Sequence, residues 1–265
     1  MASTWIMEKM TWKEVEQRFN QTKTVLIPFG STEEHGHHLP LSTDCKISYE
    51  VAKLVSEKTS ALVTPPVCYG VCRRGSTFPG TITISFETMK SLATDIMESL
   101  YSQGMRNAIL LPGHLGSAQL VSLELSAQEL LRRYQDIKLA IVRLPEILKK
   151  LPAGIVDEPF GHAGEVETSI MMALFPEDVR MHEMGREIPV FPSHLVLRDS
   201  RSVMKTGIIG DATKASRRKG EMILHLLVDE IANLIYQLEG HIPSKNTRGV
   251  SSDEAHKLQD ETIDS

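Results

Sequence analysis

The sequence has few cysteines, no long apolar run and no strong excess of charge of one sign. Its apolar runs are far shorter than the ~20 residues that a membrane-spanning helix requires. The N-terminal segment contains acidic residues and no apolar stretch, so it does not resemble a secretory signal. A formal net charge of -5 gives no general affinity for nucleic acid. We therefore expect a cytoplasmic protein that binds neither membranes nor nucleic acids.

Only three cysteines are present: Cys45, Cys68 and Cys72. An odd number without paired zinc-finger spacing favours reduced thiols. A metal site formed by Cys68 and Cys72 is the alternative, although their spacing matches known zinc motifs poorly.

The composition is typical of a globular protein with a substantial core, because 41% of the residues are hydrophobic and 24% are charged. A chain of 265 residues is long enough for one large domain. The segment after His241 is polar and predicts a mobile tail. We expect a single domain over residues 1–240 and a flexible tail over residues 241–265.

Four short apolar runs predict buried parallel strands, at residues 25–29, 61–67, 108–111 and 139–142. Apolar residues at helical spacing predict helices at residues 87–103, 120–134 and 212–238. This alternation predicts an α/β fold with a mainly parallel sheet and helices on both faces. Residues 65–83, with one possible strand at 81–85, and residues 145–164 are predicted to be long, functional loops.

The first predicted strand is followed directly by a polar segment, GSTEEHGHHLPLSTD, at residues 30–44. Carboxylates and imidazoles together are the ligands of Zn, Mn or Fe. The segment leaves the carboxyl end of a parallel strand, where α/β folds place their ligands. Its candidate ligands and binding residues are Glu33, Glu34, His35, His37, His38 and Asp44.

Two further segments carry candidate site residues. The third predicted strand ends in Pro-Gly-His-Leu-Gly, which presents His114 at the same edge of the sheet. The segment FGHAGEVETSIMMAL at residues 160–174 begins a helix and contains His162, Glu165 and Glu167. The carboxylates of Glu165 and Glu167 suit a helix start, where the helix dipole favours acids. His162 and Glu165 flank the glycine-rich entry and are the better candidates for catalysis or metal binding.

These three segments, together with FPGTITI at residues 78–84, resemble the creatininase (creatinine amidohydrolase) family. The likeness extends from about residue 24 to about residue 240. It implies a three-layer α/β/α fold, two divalent metal ions and a homo-oligomer, often a hexamer. It also implies hydrolysis of a carbon–nitrogen bond in a small cyclic amide or formamide.

The resemblance assigns roles to individual residues. Glu33, His35, Asp44 and His114 match metal ligands, with Asp44 in the bridging role, and His162 matches the catalytic histidine. Gly116 occupies the position of a further glutamate ligand of creatininase, and we expect Glu165 to replace that ligand. Leu115, Pro145 and Glu158 lie at or near the positions of the aromatic residues that surround creatinine, so we expect a different substrate.

The expected mechanism is attack of a metal-activated water on a carbonyl carbon, with His162 or Glu165 protonating the leaving nitrogen. Arg73, Arg74 and His38 are the candidate substrate-binding residues. The alternatives are a hydrolase that opens the ring of a cyclic ketone of the oxidised-inositol type, and a ligand-binding protein that retains the fold without catalysis.

Overall fold

The computed structural model describes residues 5–157 and 161–241. Its main sheet has four parallel strands in the order β2-β1-β3-β4. Every residue of the two central strands, β1 and β3, is buried, which explains why they lack polar alternation in sequence. The strands are β1 Thr24–Phe29, β2 Leu62–Val63, β3 Asn107–Pro112 and β4 Lys138–Ile141.

Seven α-helices lie within the described residues: α1 Trp12–Phe19, α2 Thr43–Thr59, α3 Phe86–Gln103, α4 Ser117–Arg133, α5 Leu144–Leu148, α6 Glu165–Leu174 and α7 Arg217–Leu238. A second, antiparallel sheet pairs β5 Arg186–Glu187 with β6 Gly210–Asp211. Short 3-10 helices occupy some of the connections, one of them directly before α7 at Ala212–Lys214.

The helices cover both faces of the main sheet. Along β1, Val25 and Ile27 pack with residues of α3 and α4, whereas Leu26 packs with residues of α2, α6 and α7. This alternation follows from the two-residue period of a strand. The protein is therefore a three-layer α/β/α structure, and the predicted fold class is confirmed.

The predicted strands and helices are largely where the sequence placed them, with differences at their ends. Regular pairing in β2 ends at Val63, because Pro65 and Pro66 lack the N–H groups that would extend the ladder. The possible strand at residues 81–85 is reduced to single bridges at Ile82 and Thr83. The last helix begins at residue 217 rather than 212, where the Ser216 side chain caps it.

Three further predictions concern an irregular segment, the C-terminal tail and the number of domains. Residues 145–164 were predicted as irregular and include most of the short helix α5. The predicted tail from residue 242 onward lies outside the described residues, as does Glu158. The division into one domain and a tail stays a prediction. No described helix is long and apolar enough to cross a membrane.

The cysteines do not follow the prediction of three reduced thiols. Cys45 in α2 and Cys68 in the loop after β2 form a disulfide, with their Cα atoms 5.3 Å apart. Cys72 is a free, buried thiol. The disulfide also contradicts a metal site formed by Cys68 and Cys72, because the sulfur of Cys68 is already bonded. Its effect is to fasten the first turn of α2 to the loop that leads to Cys72.

The contact between α6 and α7 predicts an unusual response to a helix substitution. Gly220 lies inside α7, where Ala normally stabilises a helix by about 1 kcal/mol relative to Gly. A Cβ at residue 220 would lie 1.9 Å from the carbonyl oxygen of Ser169 in α6. We therefore expect Gly220→Ala to lower the free energy of unfolding, by about 1–3 kcal/mol. Urea unfolding curves measure this change.

The control is Glu221→Ala, which alters the neighbouring exposed position and removes only an ion pair with Arg217. We expect it to change the free energy of unfolding by no more than about 0.5 kcal/mol. A Gly220→Ala variant more stable than the parent would show that the two helices do not approach this closely.

Candidate metal centre

The candidate site lies where β1 and β3 end. Glu33 and His35 follow β1, Asp44 lies in the first turn of α2, and His114 comes two residues after β3. The two strands are parallel neighbours, with Phe29 paired to Pro112, so their carboxyl ends meet at one edge of the sheet. This edge is where open α/β sheets bind ligands.

Two glycines bring the backbone of α2 against the ends of both strands. A Cβ at Gly113 would lie 2.0 Å from the carbonyl oxygen of Asp44, and one at Gly30 would lie 2.4 Å from the Cα of Cys45. No residue with a side chain could make either approach without moving the helix. The glycines therefore fix the position of Asp44 between the two strand ends.

The carboxylate of Asp44 lies between two imidazoles. Oδ1 is 3.0 Å from Nε2 of His35, and Oδ2 is 3.4 Å from Nδ1 of His114. Oδ2 also accepts a hydrogen bond of 2.6 Å from Ser31. Burial opposes ionisation of Asp44, but His35 and His114 outweigh it and hold its pKa well below the usual range. Asp44 thus offers one charged oxygen to each histidine.

Backbone carbonyls orient both imidazoles for binding a cation. Nδ1 of His35 lies 3.0 Å from the carbonyl oxygen of Glu33, and Nε2 of His114 lies 3.2 Å from that of Val71. A carbonyl oxygen only accepts, so these ring nitrogens are the ones that donate a proton. The other nitrogen of each ring faces carboxylates and can carry the lone pair of a metal ligand.

One carboxylate oxygen of Glu33 provides a test of whether a cation fits. Oε2 of Glu33 is buried and has no hydrogen-bond partner, although it lies 2.8 Å from Nδ1 of His114. Removing a carboxylate oxygen from water without a partner is costly. A divalent cation beside Oε2 and Nδ1 would satisfy both atoms. The residues present therefore fit a metal ion.

His162 lies next to this cluster in a constrained backbone. It forms a bridge with Ile209, with N–O distances of 2.9 and 2.8 Å, and it precedes Ala163, whose φ of 51° is uncommon for a residue with a side chain. Its Nε2 lies 2.6 Å from the carbonyl oxygen of Glu34. Burial disfavours its protonation, but the surrounding glutamates, Glu34 first, raise the pKa of His162 to about 10.

The structure brings Glu167, rather than Glu165, to the cluster. Oε2 of Glu167 is 3.8 Å from Nε2 of His35 and accepts a hydrogen bond of 2.6 Å from the backbone N–H of Ala163. Donor atoms of His35, His162 and Glu167 all lie within 4.8 Å of one another, close enough to surround one cation. Burial raises the pKa of the Glu167 carboxyl group.

The carboxylate of Glu165, predicted as a metal ligand and catalytic residue, has other partners. One oxygen forms an ion pair with Lys219 of α7, and the other accepts a hydrogen bond of 2.9 Å from the backbone N–H of Asp157. Consecutive helical residues are rotated by about 100°, so Glu165 and Glu167 project in nearly opposite directions. Glu165 therefore joins α6 to α7, while Glu167 faces the candidate centre.

A cleft of about 680 Å³ opens beside the candidate centre. Arg73 and Arg74, the predicted substrate-binding residues, and His162, the predicted catalytic residue, line it, and Arg74 stacks on Phe191 at 4.6 Å. The cleft lining does not include His38, the third predicted substrate-binding residue, which is buried with Nε2 2.9 Å from the hydroxyl of Thr168.

Burial, aided by neighbouring histidines, lowers the pKa of His38 to about 4, so its imidazole is neutral at physiological pH. This buried and neutral side chain joins the loop after β1 to Thr168 of α6, and its substrate-binding role stays a prediction.

Sequence reasoning missed the position of three further side chains. The sequence indicates only favourable helix-start chemistry for Glu167, and it presents Glu34 as one of several candidate ligands without predicting its contact with His162. The free thiol of Cys72 lies near Glu33 and His114. The alternation of side-chain direction in the segment after β1 could have indicated only that Glu33 and His35 lie on one side. The contacts of Glu34, Cys72 and Glu167 depend on how segments distant in sequence pack together.

Buried carboxylates and imidazoles that converge at the open edge of a parallel sheet, beside a cleft, are typical of a metal-dependent hydrolase of the α/β class. Residues 8–235 match the creatininase family, described as creatinine amidohydrolase. The chain belongs to the creatininase family. The resemblance noted in the sequence is therefore confirmed.

Relatives of the protein include enzymes with several named activities. It is 32% identical to creatinine amidohydrolase of Pseudomonas putida over 89% of this chain and 97% of the relative. It is also 32% identical to the mycofactocin precursor peptide peptidase of Mycolicibacterium smegmatis, over 83% and 87% of the two chains. A 3-dehydro-scyllo-inosose hydrolase of Thermotoga maritima is 30% identical over 64% of this chain and 56% of the relative.

Solved structures agree with this assignment. A crystal structure of creatinine amidohydrolase superposes with a TM-score of 0.80 at 29% identity, covering 92% of this chain and all of the other. A manganese form of creatininase superposes with a TM-score of 0.79 at 30% identity, covering 89% and 98% of the two chains. The predicted class, a metal-dependent amidohydrolase that uses divalent metals, is confirmed at the level of the family.

Proposed function

We propose that the protein hydrolyses a carbon–nitrogen bond in a small cyclic amide or formamide at a centre that holds two divalent ions. The position of the Asp44 carboxylate carries this proposal. One of its oxygens lies 3.0 Å from His35 and the other 3.4 Å from His114, so it separates two groups of donor atoms. A carboxylate in this position is suited to bridging two ions.

Each ion would then have three protein ligands, with Asp44 shared. Glu33 and His114 would hold the first ion, and His35 and Glu167 the second. Three protein ligands are the usual number in a catalytic zinc site, which keeps a further position for water. When bound, such ions lower the pKa of water toward ~7 and make hydroxide available at neutral pH.

Glu167 is our proposed replacement for the ligand that is lost at Gly116. A Cβ at Gly116 would lie 2.3 Å from Nε2 of His114, so the present orientation of that imidazole excludes a side chain there. Glu167 approaches His35 from α6 instead. The metal-ligand role first expected for Glu165 is therefore transferred to Glu167.

His162 is our proposed general acid. Its Nε2 donates to the carbonyl oxygen of Glu34, which fixes the ring and leaves Nδ1 as the nitrogen that can exchange a proton. Glu34, which is not among the proposed metal ligands, favours the protonated ring. His162 lines the cleft and can therefore protonate a leaving nitrogen, a role that general acids of this type perform in hydrolysis.

The substrate class rests on the cleft and on the relatives. Arg73 and Arg74 line the cleft, and their guanidinium groups suit a substrate with a carboxylate or phosphate. An amidohydrolase and a peptidase, both relatives of this chain, act on carbon–nitrogen bonds. The named inosose hydrolase favours ring opening of a cyclic ketone as a second candidate reaction. Assembly to a hexamer and a cytoplasmic location stay predictions.

We predict that the bridging residue is needed for both ions and His35 for only one. Asp44→Ala should reduce metal content from about two ions per chain to nearly none, because it removes the shared ligand. His35→Ala should retain about one ion at the site of Glu33 and His114. Elemental analysis of gently purified, folded protein measures the ratio. Equal metal content in the two variants would refute a bridging role for Asp44.

A matched pair of variants separates Glu167 from Glu165. Glu167→Gln should lose about one ion per chain and most activity while the protein stays folded. Glu165→Gln should keep its metal but lose stability, because it weakens the buried ion pair with Lys219. Metal analysis and thermal unfolding of both variants provide the comparison. Loss of metal from Glu165→Gln alone would reverse the assignment.

The substrate class can be tested with a panel of lactams, formamides, creatinine and oxidised inositols. We expect hydrolysis of a lactam or formamide at about 1–1000 s⁻¹, and slow turnover of creatinine because the aromatic residues around it are absent. His162→Ala, in the same metal-loaded state, is the control for hydrolysis by free metal. Rapid ring opening of an oxidised inositol, with no cleavage of amides, would favour the second candidate reaction.

A further inference from the structure

Cys72 has no role in the mechanism above, yet it lies beside the proposed metal ligands. Of the chain's three cysteines, all within the described residues, only Cys72 is outside the disulfide. Its side chain is fully buried. The Sγ atom, a carboxylate oxygen of Glu33 and a ring nitrogen of His114 all lie within 4.8 Å of one another. Zinc binds sulfur at about 2.3 Å and nitrogen or oxygen at about 2.0–2.2 Å, so small side-chain movements would allow one ion to contact all three atoms.

A second observation points to a ligand at this position. Oε2 of Glu33, on the same side of the site, is buried and lacks a hydrogen-bond partner. It lies 2.8 Å from Nδ1 of His114, which in turn lies 3.4 Å from Oδ2 of Asp44. Donor atoms of Glu33 and His114 thus converge next to the thiol, and Oε2 of Glu33 accepts no hydrogen bond.

The segment that carries Cys72 is held firmly in this place. The side chain of Gln119, in α4, accepts a hydrogen bond of 3.0 Å from the N–H of Val71, and Thr83 accepts one of 3.0 Å from the N–H of Cys72. The carbonyl oxygen of Val71 orients His114. Val71 therefore positions the imidazole of His114, and the next residue, Cys72, supplies the sulfur. This arrangement is expected of a preorganised site rather than of a chance contact.

We propose that Cys72 is a fourth protein ligand of the ion held by Glu33, Asp44 and His114, so that this site binds through one sulfur, one nitrogen and two carboxylates. The inference rests on the proposed dinuclear centre. Binding a cation here would require the Cys72 thiol to lose its proton, and the resulting thiolate would help to hold the cation.

A thiolate ligand would give the two ions different characters. Soft ligands such as thiolate favour zinc over manganese, whereas carboxylate and imidazole alone accept both metals. Four protein ligands are typical of closed structural zinc sites, and three are typical of open catalytic sites. The ion near Cys72 would therefore be the tightly held one, and the ion near His35 and Glu167 would keep the position for water.

X-ray absorption at the zinc edge tests the proposal directly in the wild-type protein loaded with zinc. We expect sulfur scattering at about 2.3 Å with an amplitude of one sulfur for two zinc ions. Cobalt-loaded protein should show an intense thiolate-to-cobalt band in the near ultraviolet. Protein that holds two zinc ions without sulfur scattering would overturn this inference alone. Protein that holds no metal would overturn the proposed function as well.

Variants show which residue supplies the sulfur ligand and how much this ligand contributes to metal affinity. Cys72→Ser should lose the sulfur signal and raise the dissociation constant for cadmium at least about 10-fold, the lower end of the loss caused by removing even an outer-shell partner. Its affinity for manganese should change much less. The double variant Cys45→Ser/Cys68→Ser is the matched control, because it leaves Cys72 as the only cysteine and should retain the signal. A cadmium affinity unchanged in folded Cys72→Ser would contradict the proposal.

Discussion

The contact of the Asp44 backbone with two glycine turns is the constraint on which the site depends. Gly30 and Gly113 admit the first turn of α2 between the ends of β1 and β3, at distances that a Cβ would forbid. The Asp44 carboxylate consequently lies between two imidazoles that come from different strands. A helix N-terminus also favours a negative charge at this place. Backbone packing, rather than side-chain flexibility, therefore determines where a cation can bind.

The cluster places several charged side chains in a buried position. Interactions elsewhere in the structure offset the free-energy cost of removing these charges from water. Glu33, His35 and Asp44 are almost completely removed from water, where isolated charges are expensive. Their mutual contacts compensate in part, but Oε2 of Glu33 has no hydrogen-bond partner. Elsewhere, the ion pair between Glu165 and Lys219 ties α6 to α7, and core packing stabilises both helices. The protein thus supports a buried site in which a cation would satisfy Oε2 of Glu33.

Sequence reasoning succeeded where a local pattern determines the structure. The apolar runs that form β1 and β3 and the polar segment after β1 are continuous in sequence, so both could be identified directly. The choice between Glu165 and Glu167 could not, because it depends on the rotation of α6 against α7. The position of Cys72 depends on a loop that returns to the sheet and is held by Gln119, and composition gives no sign of that path.

The limited space at Gly116 also constrains the exchange of one set of metal ligands for another, namely a glutamate at residue 116 in place of Glu167. A side chain at this residue would meet the imidazole of His114, whose own orientation depends on the carbonyl of Val71. Introducing a glutamate there by one substitution would therefore disturb an existing ligand before it supplied a new one. Removing Glu167 first would leave the proposed second ion with only His35 and Asp44 as protein ligands. Conversion of this protein from one ligand arrangement to the other would therefore need coordinated substitutions.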